Sequence, residues 1–140
     1  MKLLLSKQVA DEMMRAARAA DPLEACGLLA GRDDTASKCY ALANADASAE
    51  HFSMKPEEQF AAVRDMRAAG LRMLAVWHSH PATPARMSEE DLRLAYTPDV
   101  AYVILSLASP GAPEIRGFTV RDGAAVPIEI GIEGGKKEKR

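Results

Sequence analysis

Cysteine is scarce in this chain, which has only Cys26 and Cys39 among its 140 residues. Two cysteines are too few for a disulfide framework, and neither belongs to a C-x-x-C pair of the kind used for zinc binding or redox chemistry. We therefore expect two buried free thiols in a reducing compartment. Any zinc site in this sequence must then depend on histidine and carboxylate side chains.

Long apolar segments are also missing. The longest apolar run covers residues 101–108, well short of the roughly 20 residues needed to cross a bilayer. At the N-terminus, Met1 and Lys2 precede only three leucines, too short a stretch for the apolar part of a signal peptide. The sequence predicts neither a membrane span nor export, and hence a cytoplasmic protein.

The chain has no excess of basic residues. There are 18 basic and 20 acidic side chains, and residues 133–140 hold four of the former and two of the latter, which leaves a charge of −4 for residues 1–132. A mildly acidic domain is unsuited to a phosphate-rich partner, so nucleic acid is not expected. With 48% apolar residues, the length predicts one domain, residues 1–132, followed by a flexible basic tail, residues 133–140.

Hydrophobic periodicity predicts strands and helices in mixed order. Three helices are expected: one that Ser6 caps and Asp21-Pro22 ends, one from Pro56 to Gly70 with Phe60, Val63 and Arg67 along one side, and one from Ser88 to Tyr96. Apolar or alternating runs predict strands over residues 2–5, 25–30, 37–43, 71–77, 101–107, 115–121 and 126–132, with a hairpin turn at Asp122-Gly123. This order favours an α/β fold of the mixed α+β kind, a mixed sheet flanked by helices.

The end of the central strand offers a metal chelate. His78 and His80 are two residues apart, so on a strand their imidazoles point to one face about 6.5 to 7 Å apart at the backbone. Asp91, in the first turn of the next helix, is placed to supply a third ligand. Two histidines and a carboxylate leave a coordination position open for water, as catalytic zinc sites do, whereas structural sites have four protein ligands.

Each part of this pattern also has an ordinary interpretation. A His-x-His pair can lie at the end of a strand without binding metal, and Ser88 with Asp91 forms a capping box in which the two residues bond each other's main chain. An Asp91 carboxylate that binds metal is not expected to serve the cap fully as well. The joint occurrence of His-x-His-Pro, a ten-residue gap, Asp, and Ser three positions before it favours the metal site.

This combination resembles the motif of the JAMM (MPN+) zinc metalloprotease family. The family pattern is His-x-His-x(10)-Asp with a serine three residues before the Asp, which residues 78–81, Ser88 and Asp91 match. The family's upstream glutamate corresponds to Glu24, in the similar segment 22–29. The resemblance covers nearly the whole domain and implies a partly barrel-like sheet flanked by helices, similar to the cytidine-deaminase-like fold.

The resemblance also implies a role for each matched residue. His78, His80 and Asp91 would hold one Zn²⁺ with a catalytic water. Glu24 would take the proton of that water and pass it to the leaving amine, and Ser88 would hydrogen-bond the developing oxyanion. Without the resemblance, Glu24 is only a carboxylate at the start of a strand.

The implied reaction is hydrolysis of an amide or isopeptide bond at the C-terminal glycine end of a small ubiquitin-like protein, in bacteria a sulfur carrier, or of its conjugate. The glycine tail would add to an exposed strand edge near the metal. The chain is too short for the insertions with which eukaryotic relatives grip linked ubiquitin, so polyubiquitin is not expected.

Two other functions compete with this hydrolysis. A non-catalytic, zinc-stabilised MPN module that binds a carrier protein or a partner subunit is the main alternative. Nucleobase deamination is disfavoured because the sequence lacks H-x-E with P-C-x-x-C.

Three further side chains are expected to have structural positions and no part in the site. Trp77 and Met13 are expected in the core, and His51 in contact with solvent.

Overall fold

The computed structural model describes residues 2–95, 97, 99–109 and 111–133. In these residues helices and strands alternate irregularly, as the sequence predicts. The helices are α1 (Lys7–Ala20), α2 (Pro56–Ala68) and α3 (Glu89–Leu94), and the strands are β1 (Lys2–Leu5), β2 (Cys26–Arg32), β3 (Thr35–Leu42), β4 (Arg72–His80), β5 (Ala101–Ser106), β6 (Glu114–Arg121) and β7 (Ala124–Ile132).

Parts of two predictions fall outside the described residues. Of the predicted tail at 133–140, only Glu133 is described. Tyr96 and Pro98, at the predicted end of the third helix, are also outside this range, and α3 itself already ends at Leu94.

The strands form a closed barrel in the order β1-β3-β2-β4-β5-β6-β7, and β1 pairs with β7 to complete it. β1 runs parallel to both of its neighbours and β4 runs parallel to β5, while the remaining pairs are antiparallel. The predicted mixed α+β fold with a barrel-like sheet flanked by helices is therefore confirmed.

The strand that carries the histidines does not itself offer the strand edge expected for a glycine tail. β4 pairs with β2 on one side, where His78 lies opposite Cys26, and with β5 on the other, where His78 lies opposite Ile104. Both edges of β4 are thus occupied, so a glycine tail cannot add to this strand.

Helix α1 begins where the sequence predicts. The Ser6 hydroxyl accepts a hydrogen bond from the Val9 N–H at 3.1 Å, and the helix buries Val9, Met13 and Ala17 against the barrel. Met13 is a core residue, as predicted. Among the described residues, no helix has the length and apolar character needed to span a bilayer.

Helix α2 begins at Pro56 as predicted, but only Val63 of the predicted stripe packs on the sheet, where it is partly buried. Its buried residues are Ala62 and Met66, which pack with Leu28 and Ala30 of β2. Phe60 is 70% exposed instead. The small alanine lets the helix approach the sheet closely.

Candidate metal centre

The two histidines lie side by side at the end of β4. Their Nε2 atoms are 3.1 Å apart, and both residues are buried. The Nδ1 of His80 donates to the carbonyl oxygen of Pro84 at 2.9 Å. Because this bond fixes the proton on Nδ1, the Nε2 atom of a neutral His80 ring presents its lone pair to the site.

Asp91 joins the histidines from the first turn of α3. Its Oδ2 lies 3.2 Å from the Nε2 of His78 and 3.2 Å from the Nε2 of His80. The same oxygen accepts from the Ser88 N–H at 3.0 Å, while the Ser88 hydroxyl accepts from the Asp91 N–H at 3.0 Å. The capping box and the contact with both imidazoles therefore exist together, and one position of Asp91 serves both.

Glu24 completes the cluster from the chain segment just before β2. It is 3% exposed, and a carboxylate oxygen of Glu24 and ring nitrogens of His78 and His80 all lie within 4.8 Å of one another. Within the described part of the chain, its Oε1 atom is buried and has no hydrogen-bond partner. A buried acceptor without a donor is costly unless a proton or a cation satisfies it.

Three hydrogen bonds fix the main chain around Glu24. Its N–H donates to the carbonyl of Ser48 at 2.8 Å, and its own carbonyl accepts from the side-chain amide of Asn44 at 3.1 Å. The N–H of the next residue, Ala25, donates to the hydroxyl of Ser79 at 2.8 Å. Ser79 lies between the two histidines in sequence and so connects β4 directly to the Glu24 segment.

The pKa values in the cluster reflect burial and the crowding of acceptors. Burial raises the pKa of Glu24 to about 8, although the nearby His80 lowers it. Burial opposes ionisation of Asp91 as well, but hydrogen bonds from both imidazoles outweigh it and hold the pKa of this carboxyl far below its usual range. For His80, burial is outweighed by its bonds to Asp91 and to the Pro84 carbonyl, which raise its pKa.

The donor set fits a divalent cation of the zinc type. His78 Nε2, His80 Nε2 and Asp91 Oδ2 are all electron-pair donors in their metal-binding forms, and they converge to within 3.2 Å of each other. Positive charge must lie between them, either as protons or as a metal ion. Two imidazoles with carboxylates are typical zinc ligands, and the unpaired Glu24 Oε1 adds a further acceptor.

The structure brings four of the five predicted site residues into one cluster. Glu24, His78, His80 and Asp91 converge, and Ser88 contacts the cluster through Asp91. Among the described residues the Ser88 hydroxyl acts only as an acceptor, in the cap bond, which leaves its hydrogen available to a further acceptor.

Phe52 is a residue at the site that the sequence analysis missed. Its ring stacks on the imidazole of His78, with the centroids 4.7 Å apart and the planes 27° apart. It follows His51 in a polar segment without regular structure. Such a segment has no helical or strand periodicity from which the burial of Phe52 could be predicted. His51 itself is partly exposed and pairs with Asp46 at 2.9 Å, as expected for a residue outside the cluster.

A groove leads to the cluster along the outer face of β2 and β4. Its cavity volume is about 330 Å³, and both His78 and Asp91 line it. The remaining walls are mainly apolar, with Leu28, Met54, Met73, Val76, Met87 and Leu94 among the lining residues. Trp77 points to the opposite side of β4, where it is fully buried in the core as predicted.

Comparison with known proteins yields several relatives. The chain is 32% identical over 132 residues to the CysO-cysteine peptidase of Mycobacterium tuberculosis, an alignment that covers 93% of this chain and 90% of that protein. It is 31% identical over 110 residues to a probable TtuB-protein conjugate cleaving protease of Thermus thermophilus, with 78% and 70% covered. A 70-residue stretch, half of each chain, is 33% identical to a desampylase of Pyrococcus furiosus.

Solved structures agree with the fold. A solution structure of a Desulfitobacterium hafniense protein matches with a TM-score of 0.87 and 47% identity, over 95% of this chain and 93% of the other. A JAB1/MPN domain protein from Archaeoglobus fulgidus shares the fold, with a TM-score of 0.58 and 23% identity over 92% of this chain and 99% of the other. Residues 6–120 match the family described as prokaryotic homologs of the JAB domain. Because that match spans well over half of the chain, this protein belongs to the prokaryotic JAB-domain family of JAMM/MPN proteins.

Proposed function

We propose that this protein is a cytoplasmic, zinc-dependent peptidase for a small ubiquitin-like sulfur-carrier protein or its conjugate. It would hydrolyse the amide or isopeptide bond at the carrier's C-terminal glycine. The main support is the convergence of a buried carboxylate, Glu24, on the cluster of His78, His80 and Asp91. Such a cluster has both a place for a cation and a separate group able to carry a proton.

His78, His80 and Asp91 are the proposed zinc ligands. When bound, the ion would supply Lewis-acid polarisation of a carbonyl group and would lower the pKa of a water molecule. The Nδ1 bond from His80 to Pro84 and the cap bond from Ser88 to Asp91 hold two of these ligands in position. Preorganised ligands of this kind favour one coordination geometry over others.

Glu24 is the proposed proton carrier. Its raised pKa, about 8, brings it close to neutral pH, where a carboxylate can both accept and return a proton. In the proposed reaction Glu24 accepts a proton from the attacking water and delivers it to the leaving amine. The hydroxyl of Ser88 donates a hydrogen bond to the carbonyl oxygen as negative charge develops there.

The substrate proposal depends on the relatives and on the shape of the site. The relatives are named for cleavage of CysO-cysteine, of TtuB-protein conjugates and of sampylated proteins. The groove beside His78 and Asp91 offers an apolar wall to an extended chain. Since both edges of β4 are paired, we propose that the carrier's tail enters along this groove rather than by strand addition to β4.

The proposed reaction is tested with a carrier protein that ends in Gly-Gly, joined through that glycine to cysteine in one substrate and to a lysine side chain in another. We expect the zinc-loaded protein to release the intact carrier, as measured by mass spectrometry. Glu24→Gln should keep its zinc, because the proposed ligands are unchanged, and lose about 10²–10⁴-fold in kcat, the usual contribution of general acid–base catalysis.

Glu129→Gln is the matched control, since Glu129 is an exposed residue of β7 and its loss should leave kcat unchanged. Undiminished turnover by Glu24→Gln would refute the role of Glu24. If the zinc-loaded wild-type protein binds the carrier but cleaves neither substrate, the peptidase proposal fails and the protein is a binding module instead.

A further inference from the structure

Asn44 lies in the irregular segment between β3 and α2, and its side-chain amide is fully engaged. The Nδ2 atom donates to the carbonyl oxygen of Glu24 at 3.1 Å and to that of His51 at 3.0 Å. The Oδ1 atom accepts from the N–H of Asp46 at 3.0 Å and from that of Ser53 at 3.3 Å. Nδ2 also lies 3.5 Å from the carbonyl oxygen of Ser48, so one side chain bonds the main chain at five separate places.

Three of these bonds reach the proposed active site. The bond to Glu24 fixes the residue whose carboxylate lies within 4.8 Å of the two histidines. The bonds to His51 and Ser53 hold the residues on either side of Phe52, whose ring stacks on His78. Asn44 thus connects the proposed proton carrier with the aromatic ring that covers a proposed ligand.

The chemistry of this position requires an amide. Asparagine supplies an N–H₂ donor for the carbonyls and an oxygen acceptor for the N–H groups, whereas aspartate has no donor and alanine has neither. The segment has no helix or strand bonds of its own between residues 43 and 55, so its path depends on bonds of this kind.

We infer that Asn44 is a positioning residue for the proposed reaction. It does not lie in the cluster itself, and it acts by holding the Glu24 main chain and the two neighbours of Phe52 in one arrangement. This inference rests on the function proposed above for Glu24. It assigns to a residue outside the family motif an effect on turnover that is exerted through Glu24 and Phe52.

Kinetics of zinc-loaded Asn44→Ala and Asn44→Asp test the inference. We expect kcat to fall about 10–100-fold in both variants, because loss of an outer partner that orients the site has effects of this size and a displacement of about 1 Å can cost about 100-fold. KM should change little, since the groove walls are untouched. In the Glu24→Gln background, Asn44→Ala should cost much less than it does in the wild type, because the contribution that acts through Glu24 is already lost.

Arg32→Ala is the control for a purely structural effect. Arg32 also donates to two main-chain carbonyls of another segment, those of Gly70 and Ala69, at the opposite end of β2. Its loss should lower stability and leave kcat per zinc-loaded molecule unchanged. Retention of kcat by Asn44→Ala, or losses that multiply in the double variant, would overturn the inference.

Amide hydrogen exchange gives a readout that needs no activity. In Asn44→Ala the amides of Glu24 and Ser53 should exchange faster than in the wild type. In Arg32→Ala the same two amides should exchange at the wild-type rate. Unchanged exchange at both amides would refute the positioning role. If the wild type cleaves no carrier substrate, the proposed function fails instead, and the exchange data alone decide whether Asn44 holds Glu24.

Discussion

Ser79 supports the proposed site although its side chain points away from the two histidines. Strand alternation turns His78 and His80 to the side of the sheet where Asp91 lies, and Ser79 towards the interior, where it is fully buried. There its hydroxyl anchors the Ala25 N–H next to Glu24. The same three residues of β4 therefore supply two proposed ligands and one anchor for the proposed proton carrier.

The two cysteines yield a prediction at the same scale. Burial raises the pKa of the Cys26 thiol and of the Cys39 thiol to about 12, with nearby Glu24 and Glu12 acting in the same direction. At pH 8 the reactive thiolate is then a fraction of about 10⁻⁴. We expect a thiol-specific disulfide reagent to label neither cysteine in the native protein, and to label both in guanidinium chloride.

The pH dependence provides a second check on the thiols. Because the folded-state pKa values lie above the ordinary thiol value, the native state retains protons that the unfolded state loses as the pH rises. This contribution to stability is complete below about pH 8.5 and is lost progressively towards pH 12. Rapid stoichiometric labelling of both cysteines in the native protein at pH 8 would contradict the raised thiol pKa values on which both expectations depend.

The sequence allowed residues with a regular spacing to be placed at the site, but not residues from irregular segments. His78 and His80 share a strand, and Asp91 begins a helix just beyond it, so local geometry sufficed to bring them together. Phe52 and Asn44 reach the site from an irregular segment whose path follows side-chain hydrogen bonds. No period in the sequence encodes such a path, and Glu24 was found only through the resemblance to a family.

At the scale of elements, the order of helices and strands followed from periodicity, but the packing face of α2 did not. Of the predicted stripe, Val63 packs partly buried beside the buried Ala62 and Met66, whereas its largest apolar residue, Phe60, is exposed. Both stripes have helical spacing, so the pattern alone does not choose between them. Close packing of the helix on the sheet favours the side with the small alanine.

The β6–β7 hairpin allows a test of turn chemistry. Asp122 and Gly123 both have positive φ, 52° and 77°, the pattern of a type I′ turn. A Cβ at Gly123 would meet no atom within 4 Å, so substitution there brings backbone strain and no clash. We expect Gly123→Ala to lower the free energy of unfolding by about 1–2 kcal/mol, as measured by urea denaturation.

Gly111→Ala is the matched control for this turn. A Cβ at Gly111 also meets no atom within 4 Å, and its φ lies outside the left-handed range. This substitution should leave stability unchanged or raise it by up to about 1 kcal/mol, since alanine restricts the unfolded chain. Equal effects of the two substitutions would show that positive φ at Gly123 is not the cause.

Over the whole molecule, closure of the barrel depends on a contact that no local pattern predicts. β1 pairs with β7 through the register of Lys2 with Glu129 and Leu5 with Ile132, which joins the first strand to the last. The proposed site is likewise assembled from separate parts: the segment before β2, the end of β4 and the start of α3. A ligand held by all of these parts should therefore stabilise the folded chain as a unit.

This expectation leads to a prediction for metal binding. Zinc that binds only the folded protein, at a free concentration one hundred times its Kd, should raise the free energy of unfolding by about 2.7 kcal/mol. For a chain of this length the corresponding rise in Tm is about 9 °C. Calorimetry of chelator-treated protein before and after addition of zinc measures this shift.

Two histidine variants make the thermal test specific to the proposed site. His80→Ala removes a proposed ligand, so zinc should no longer raise its Tm appreciably. His51→Gln changes the one histidine outside the cluster, which pairs with Asp46 instead, and should show the full rise. If zinc raised the Tm of both variants equally, His80 would not be a ligand, and zinc would have to bind elsewhere on the protein.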